Sequence, residues 1–225
     1  MSNGRVLFIL TSHDDLAGVR KTGYYINEAA HPWKVLRDAG YDVDFASVRG
    51  GVPPRDGFDP DDADQEAFLS DPSVAAQLSN TRTIADYDPA DYDAVLYVGG
   101  HGTVFDFPGD AALAAFSGRV YDNGGVVSAV CHGPAGLLDI TTADGTYLVA
   151  GKNVASFTNE EEAAVGLTDV VPFLLATALE QRGAIHHPAE NFTDHVVVDG
   201  RLVTGQNPQS AAGVGEAVVK VLAER

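Results

Sequence analysis

Four short, predominantly apolar runs, at residues 6–10, 43–48, 94–98 and 126–130, constrain the fold of this chain more than any other feature. A strand with one solvated face alternates apolar and polar residues. A strand covered on both faces of a parallel sheet reads as a near-continuous apolar run. Residues 24–39 fall between the first two runs and have helical spacing. Ile26, Ala29, Ala30, Trp33, Val35 and Leu36 lie on one stripe, and Gly40 supplies a stop. Pro32 is a cost inside that helix, expected to kink it or to mark its start. Helices are also expected at 111–123, briefly after His132, at 160–181, and from Pro208 to about 222, with a strand at 153–156. Residues 196–204 form two β runs around Asp199-Gly200, a strong hairpin signal. This alternation predicts an α/β fold, a doubly wound, mostly parallel sheet sandwiched by helices, with a β-hairpin near the C-terminus. The length of 225 residues suits one domain over 1–225. Residues 50–90 are turn-rich and then acidic. They read as an excursion from the sheet, because about 40 residues make a poor core alone.

Composition narrows the function. Fourteen Lys and Arg stand against 32 Asp and Glu, a net charge of −18. That balance argues against nucleic acid or an anionic membrane as a partner. No run approaches the ~18 apolar residues of a membrane span, and the first apolar run is too short for a signal peptide. A cytoplasmic location is expected. A single cysteine excludes an intrachain disulfide and suits a reducing compartment. No phosphate loop or dinucleotide fingerprint occurs, so no nucleotide cofactor is expected. His13, His31, His186, His187 and His195 show no metal-ligand spacing, and no metal is expected. His186-His187 reads as an exposed pair.

The chemistry concentrates at Val127-Ser128-Ala129-Val130-Cys131-His132-Gly133-Pro134. A buried strand ends at a cysteine, and a small-residue turn starts a helix. This strand–nucleophile–helix elbow lifts a side chain clear of the sheet's carboxyl edge. The helix start after it is expected to lower the thiol pKa. A small buried thiol with only a packing role is the plainer alternative. Gly99-Gly100-His101-Gly102 ends the preceding strand, where the N–H groups of Gly100 or His101 could hold an oxyanion beside Cys131. A plain tight turn would also use these glycines. Glu28, among apolar residues, is either a helix-dipole carboxylate or a buried general acid–base. Thr158-Asn159-Glu160-Glu161-Glu162 contains a Thr-x-x-Glu capping box that accounts for Glu161. Glu160 or Glu162 could orient the His132 imidazole.

Together, Ala129-Val130-Cys131-His132-Gly133-Pro134, Gly99-Gly100-His101-Gly102, Glu28 and the tail Val203-Thr204-Gly205-Gln206-Asn207-Pro208-Gln209-Ser210-Ala211 resemble the DJ/PfpI superfamily, and within it the glyoxalase III and stress-chaperone branch. The resemblance covers nearly the whole chain. It implies a flavodoxin-like fold, a homodimer, a Cys131 nucleophile, a Glu28 acid–base partner and His132 as the imidazole of a Cys-His-acid triad. By offset it implies Glu162 as the acid, with Asn159 and Glu160 the positions used by other members. The implied activity is cofactor-independent conversion of a small 2-oxoaldehyde such as methylglyoxal to a 2-hydroxy acid, with deglycase activity alongside. A holdase chaperone and a cysteine redox sensor are the alternatives, and an intracellular cysteine peptidase ranks lower. Glutaminase activity is disfavoured, because His187-Pro188-Ala189-Glu190 lacks the His-x-Glu spacing of the amidotransferase relatives.

Overall fold

The computed structural model describes residues 2–225. In chain order the elements are β1 (Arg5–Leu10), β2 (Tyr24–Tyr25), α1 (Ile26–Asp38), β3 (Asp42–Ser47), β4 (Arg55–Asp56), α2 (Ala63–Ser70), α3 (Pro72–Leu78), β5 (Ala94–Tyr97), α4 (Thr103–Asp106), α5 (Ala111–Asp122) and β6 (Val126–Val130). The second part of the chain adds β7 (Asn153–Val154), α6 (Asn159–Ala164), α7 (Leu175–Gln181), β8 (Ile185–His186), β9 (Val196–Asp199), β10 (Leu202–Gly205) and α8 (Ala211–Ala223).

The main sheet has the order β3-β1-β5-β6-β10-β9. Every pairing is parallel except β9 with β10, the hairpin turned at Asp199-Gly200. The four apolar runs are thus the four adjacent strands β3, β1, β5 and β6. Successive side chains on each strand enter opposite cores, as strand geometry requires. Leu7, Ile9, Val95, Tyr97, Val127 and Ala129 pack towards α5 and α7. Val6, Phe8, Leu10, Leu96, Val98, Val126 and Val130 pack towards α1 and α8. No helix among the described residues is long and apolar enough to cross a membrane.

Three expectations need correction. The helix expected from residue 24 begins at Ile26, because Tyr24 and Tyr25 pair with β4. Pro32 neither starts nor ends it but lies buried within it, and Val35 is only half-buried. A proline there removes the backbone bond that the Glu28 carbonyl would otherwise accept. The single helix expected at 160–181 is two helices, α6 and α7. Gly166 turns the chain with φ +74° after α6, and Pro172 precedes α7. Apolar residues between them keep the helical spacing and hide the break. The strand expected at 153–156 shortens to β7, which pairs with β8 outside the main sheet. Residues 50–90 carry β4, α2 and α3. Phe68 from α2 is fully buried, 5.5 Å from the Trp33 ring and 5.7 Å from Phe45, so this stretch shares the second core.

Candidate active site

The functional side chains meet at the carboxyl ends of β5 and β6, the edge where open α/β sheets bind ligands. Cys131 comes directly after β6. Its backbone is in the left-handed region, φ +60°, which costs a residue other than glycine about 1–3 kcal/mol and persists only where the surroundings impose it. Here they do. The Cys131 N–H donates to the Gly205 carbonyl at 2.9 Å, and the Cys131 carbonyl accepts from Phe157 N–H at 2.9 Å. The elbow is therefore clamped between the end of β10 and the segment after β7. The chain then enters a 3₁₀ turn, Gly133–Leu137. Thr103 Oγ1 on α4 bonds both the Gly100 and His132 carbonyls at 2.9 Å, joining the two strand ends.

Two glycines make the site possible. A Cβ on Gly99 would lie 2.2 Å from Glu28 Oε2 and 3.0 Å from Cys131 Cβ. The carboxyl thus occupies the space a side chain would fill. Gly100 has φ +109°, and a Cβ there would meet the Gly23 carbonyl at 2.3 Å. Neither the Gly100 nor the His101 N–H donates to a backbone acceptor among the described residues. Both are available to a developing oxyanion.

Glu28, in the first turn of α1, is fully buried, and neither carboxyl oxygen has a hydrogen-bond partner. Burial pushes its pKa well above the usual carboxylate range, opposed by the nearby Cys131 thiol and Gly99 backbone. A carboxyl in that setting holds its proton more tightly than a free one. Cys131 is 4 % exposed, and burial, then the neighbouring Glu28, raise its pKa well above that of a free thiol. This overturns the expectation of a thiol acidified by a helix start. The only helical structure immediately after Cys131 is the short 3₁₀ turn, and burial outweighs it.

The other side of the thiol is an imidazole chain. Cys131 Sγ lies 3.4 Å from His132 Nδ1, and His132 Nε2 lies 2.7 Å from Glu162 Oε2. Burial and the adjacent His101 take the His132 pKa down to about 4. Burial opposes ionisation of Glu162, but hydrogen bonds from His101 and His132 prevail and bring its pKa to about 2. At neutral pH the imidazole is neutral and the carboxylate charged. An ionised carboxylate only accepts, so Nε2 carries the proton and Nδ1 presents its lone pair to the thiol.

Of the three candidates for the acid, Glu162 alone bonds His132. Asn159 Nδ2 is 2.9 Å from Thr177 Oγ1, and Glu160 is exposed. Glu161 makes the capping box with Thr158 and also accepts from Phe192 N–H and from the Gln206 and Asn207 side-chain amides. His101 was expected to act through its backbone alone, yet its imidazole donates from Nε2 to Glu162 Oε1 at 3.0 Å. Its ring centroid is 4.0 Å from that of His132. His101, His132 and Glu162 also form the one group among the described residues whose ligand atoms are close enough to share a cation, all within 4.8 Å. His186 is half-buried, with Nε2 3.1 Å from Ser156 Oγ, and is not exposed as expected, while His187 is exposed. A cavity of about 280 Å³ beside α6, lined by Thr158, Glu160, Glu180 and His186, does not include Cys131.

The chain is similar to known proteins. The chain is 39% identical to glyoxalase 3 of Candida albicans over 96% of its own length and 97% of that protein. It is 34% identical to a glutathione-independent glyoxalase of Saccharomyces cerevisiae, covering 94% of each. The crystal structure of glyoxalase III from Candida albicans superposes with a TM-score of 0.90 at 36% identity, covering 97% of both chains. The DJ-1/PfpI family matches residues 21–221, a span that contains Glu28, the Gly-Gly-His-Gly turn, the cysteine elbow and Glu162, and the chain belongs to that family.

Proposed function

We propose that this protein is a glutathione-independent glyoxalase, which converts a 2-oxoaldehyde such as methylglyoxal into a 2-hydroxy acid through a thioester on Cys131. One observation carries the reading. A single thiol stands between a fully buried carboxyl, Glu28, whose protonated form burial favours, and a neutral imidazole whose Nδ1 faces it. Those are the acid and the base that an internal proton shift needs. The glyoxalase names of the relatives support the same reading.

The chemistry proceeds without an external oxidant. His132 Nδ1 takes the thiol proton as Sγ bonds the aldehyde carbon. The carbonyl electron pair moves onto oxygen, held by the Gly100 and His101 N–H groups, and the imidazolium returns the proton to give a hemithioacetal. His132 then removes the hydrogen from that carbon while Glu28 protonates the neighbouring ketone oxygen, which forms an enediol. The imidazolium protonates the second carbon, and the Glu28 carboxylate recovers its proton from the first hydroxyl, leaving a thioester. Water adds to the thioester and the thiol leaves. The first carbon is oxidised to the acid, the second is reduced to the alcohol, and one water is consumed.

The test is D-lactate formation from methylglyoxal by purified protein without glutathione. Wild type should turn over, and Cys131→Ala should lose more than ~10³-fold. Absence of turnover in wild type removes the proposal. Activity that survives in Cys131→Ala removes the thioester mechanism. The same hemithioacetal chemistry extends to early glycation adducts, so a deglycase activity should vanish with the same substitution. Suppression of aggregation that persists in Cys131→Ala would instead mark a holdase role.

A further inference from the structure

The proposed reaction leaves one fully buried carboxyl without a part. Glu161 Oε2 accepts from Thr158 N–H at 2.9 Å. Its Oε1 accepts from Phe192 N–H at 2.8 Å, Asn207 Nδ2 at 2.9 Å and Gln206 Nε2 at 3.1 Å. The capping role covers only the first of these. The others tie the segment around Phe192, and the end of β10, to the residue next to Glu162.

Phe192 is unusual in its own right. It has φ +56°, the left-handed region, which bulky residues rarely occupy. Such a conformation persists where the surroundings over-determine it, and it clusters at ligand sites. Here the Glu161 carboxyl pins the Phe192 N–H, while the ring lies 6.2 Å from the Phe157 ring. Phe157 in turn lies 4.4 Å from His132. The three rings form a series from inside to outside. His132 is fully buried, Phe157 is 4 % exposed and Phe192 is 40 % exposed. Tyr25 is half-buried and near both Cys131 and Glu28. An exposed phenyl ring is thus held on a left-handed backbone at the outer end of a series of rings that starts beside an almost inaccessible thiol.

We propose that Phe192 is a specificity-determining residue: an aromatic outer wall, fixed by the buried Glu161 carboxyl, that favours small aliphatic 2-oxoaldehydes over aryl ones. The substrate class rests on the glyoxalase reading, whereas the control of access to Cys131 does not. A wall of this kind discriminates by size. A small aldehyde passes between the rings, and an aryl aldehyde meets the phenyl group. Hydrophobic discrimination of this type spans roughly 10–200-fold.

The experiment compares wild type, Phe192→Ala and Phe192→Leu, each checked for folding by circular dichroism. The first readout is kcat/KM for phenylglyoxal divided by that for methylglyoxal. The second uses no enzyme activity. It is the rate of Cys131 alkylation by a bulky N-aryl maleimide divided by the rate with iodoacetamide. Phe192→Ala should raise both ratios roughly tenfold, and Phe192→Leu should raise them by less. A folded Phe192→Ala with both ratios unchanged overturns the proposal. A raised alkylation ratio in a protein with no glyoxalase turnover sustains the wall and removes only the glyoxalase reading. Turnover with unchanged ratios does the reverse. If Phe192→Ala fails to fold, Phe192→Leu decides by the same ratios. Glu161→Gln, which weakens the pin without removing the ring, should move the alkylation ratio in the same direction, by roughly two- to threefold.

Discussion

Glu28 and Glu162 flank the same thiol, and their surroundings drive them to opposite protonation states. Glu28 is fully buried with neither oxygen hydrogen-bonded, so burial favours its protonated form. Glu162 is nearly as buried, but two imidazoles donate to its two oxygens, and it is ionised to about pH 2. Burial alone is therefore not the variable that sets charge. The number of donors pointed at the carboxyl decides it. The pair places a carboxyl that favours its proton on one side and a negative charge on the other, with a neutral His132 between thiol and carboxylate.

The largest expected effect breaks the neutral side. Glu28→Gln keeps the shape but cannot shuttle a proton, and kcat for methylglyoxal should fall by about 10²–10⁴-fold. The same change should separate activity from stability. A carboxyl whose folded pKa lies above its unfolded value destabilises the fold progressively as pH rises from about 4.5. Thermal unfolding should thus show Glu28→Gln gaining on wild type between pH 5 and pH 8. A constant difference across that range would mean that Glu28 is not protonated in the fold. Breaking the charged side comes next. Glu162→Gln should cost about 10²–10³-fold, because the amide no longer fixes the His132 tautomer. Glu160→Gln, at an exposed carboxylate, should stay within about twofold.

Two smaller effects sharpen the comparison. His132 stays neutral down to about pH 4, so the acid limb of kcat/KM should fall near that value rather than at the ~6.5 of a free imidazole. Folding shows the matching dependence. The unfolded chain binds the His132 proton first, so stability contributed there is lost as pH drops from about 6.5 towards about 4. The last change is His101→Phe, which keeps a ring and removes one donor from Glu162. Activity should fall by roughly tenfold, and the acid limb should move up in pH, because the adjacent His101 is one of the groups lowering His132. An unmoved limb would show that His101 acts only through its backbone.

The sheet is legible in the sequence because its four adjacent strands β3, β1, β5 and β6 are largely buried and their runs are predominantly apolar. The elbow is legible because Cys131, His132 and the Gly-Pro turn are neighbours in the chain. The break between α6 and α7 is not, because apolar spacing survives a turn that one glycine in the left-handed region can make. The Glu161 hub is hidden for a different reason. Its partners lie at 158, 192, 206 and 207, and the local capping box already explains its identity. The His101 imidazole and the Phe192 ring approach the rings of His132 and Phe157 from loops about 90 residues apart, a distance no local pattern registers. The direction of the thiol's pKa is hidden too, because chain order reveals a helix start but not the depth at which the sulfur is buried.

The left-handed backbone at Cys131 also reorders an ordinary expectation of protein engineering. Elsewhere, glycine in place of alanine loosens a fold by widening the freedom of the unfolded chain. At residue 131 the backbone has φ +60°, so alanine must share the cysteine's strain and glycine need not. Of two inactive enzymes, Cys131→Gly should therefore be the more heat-resistant by about 1 kcal/mol. The residue that the backbone at 131 favours most is then one that carries no thiol.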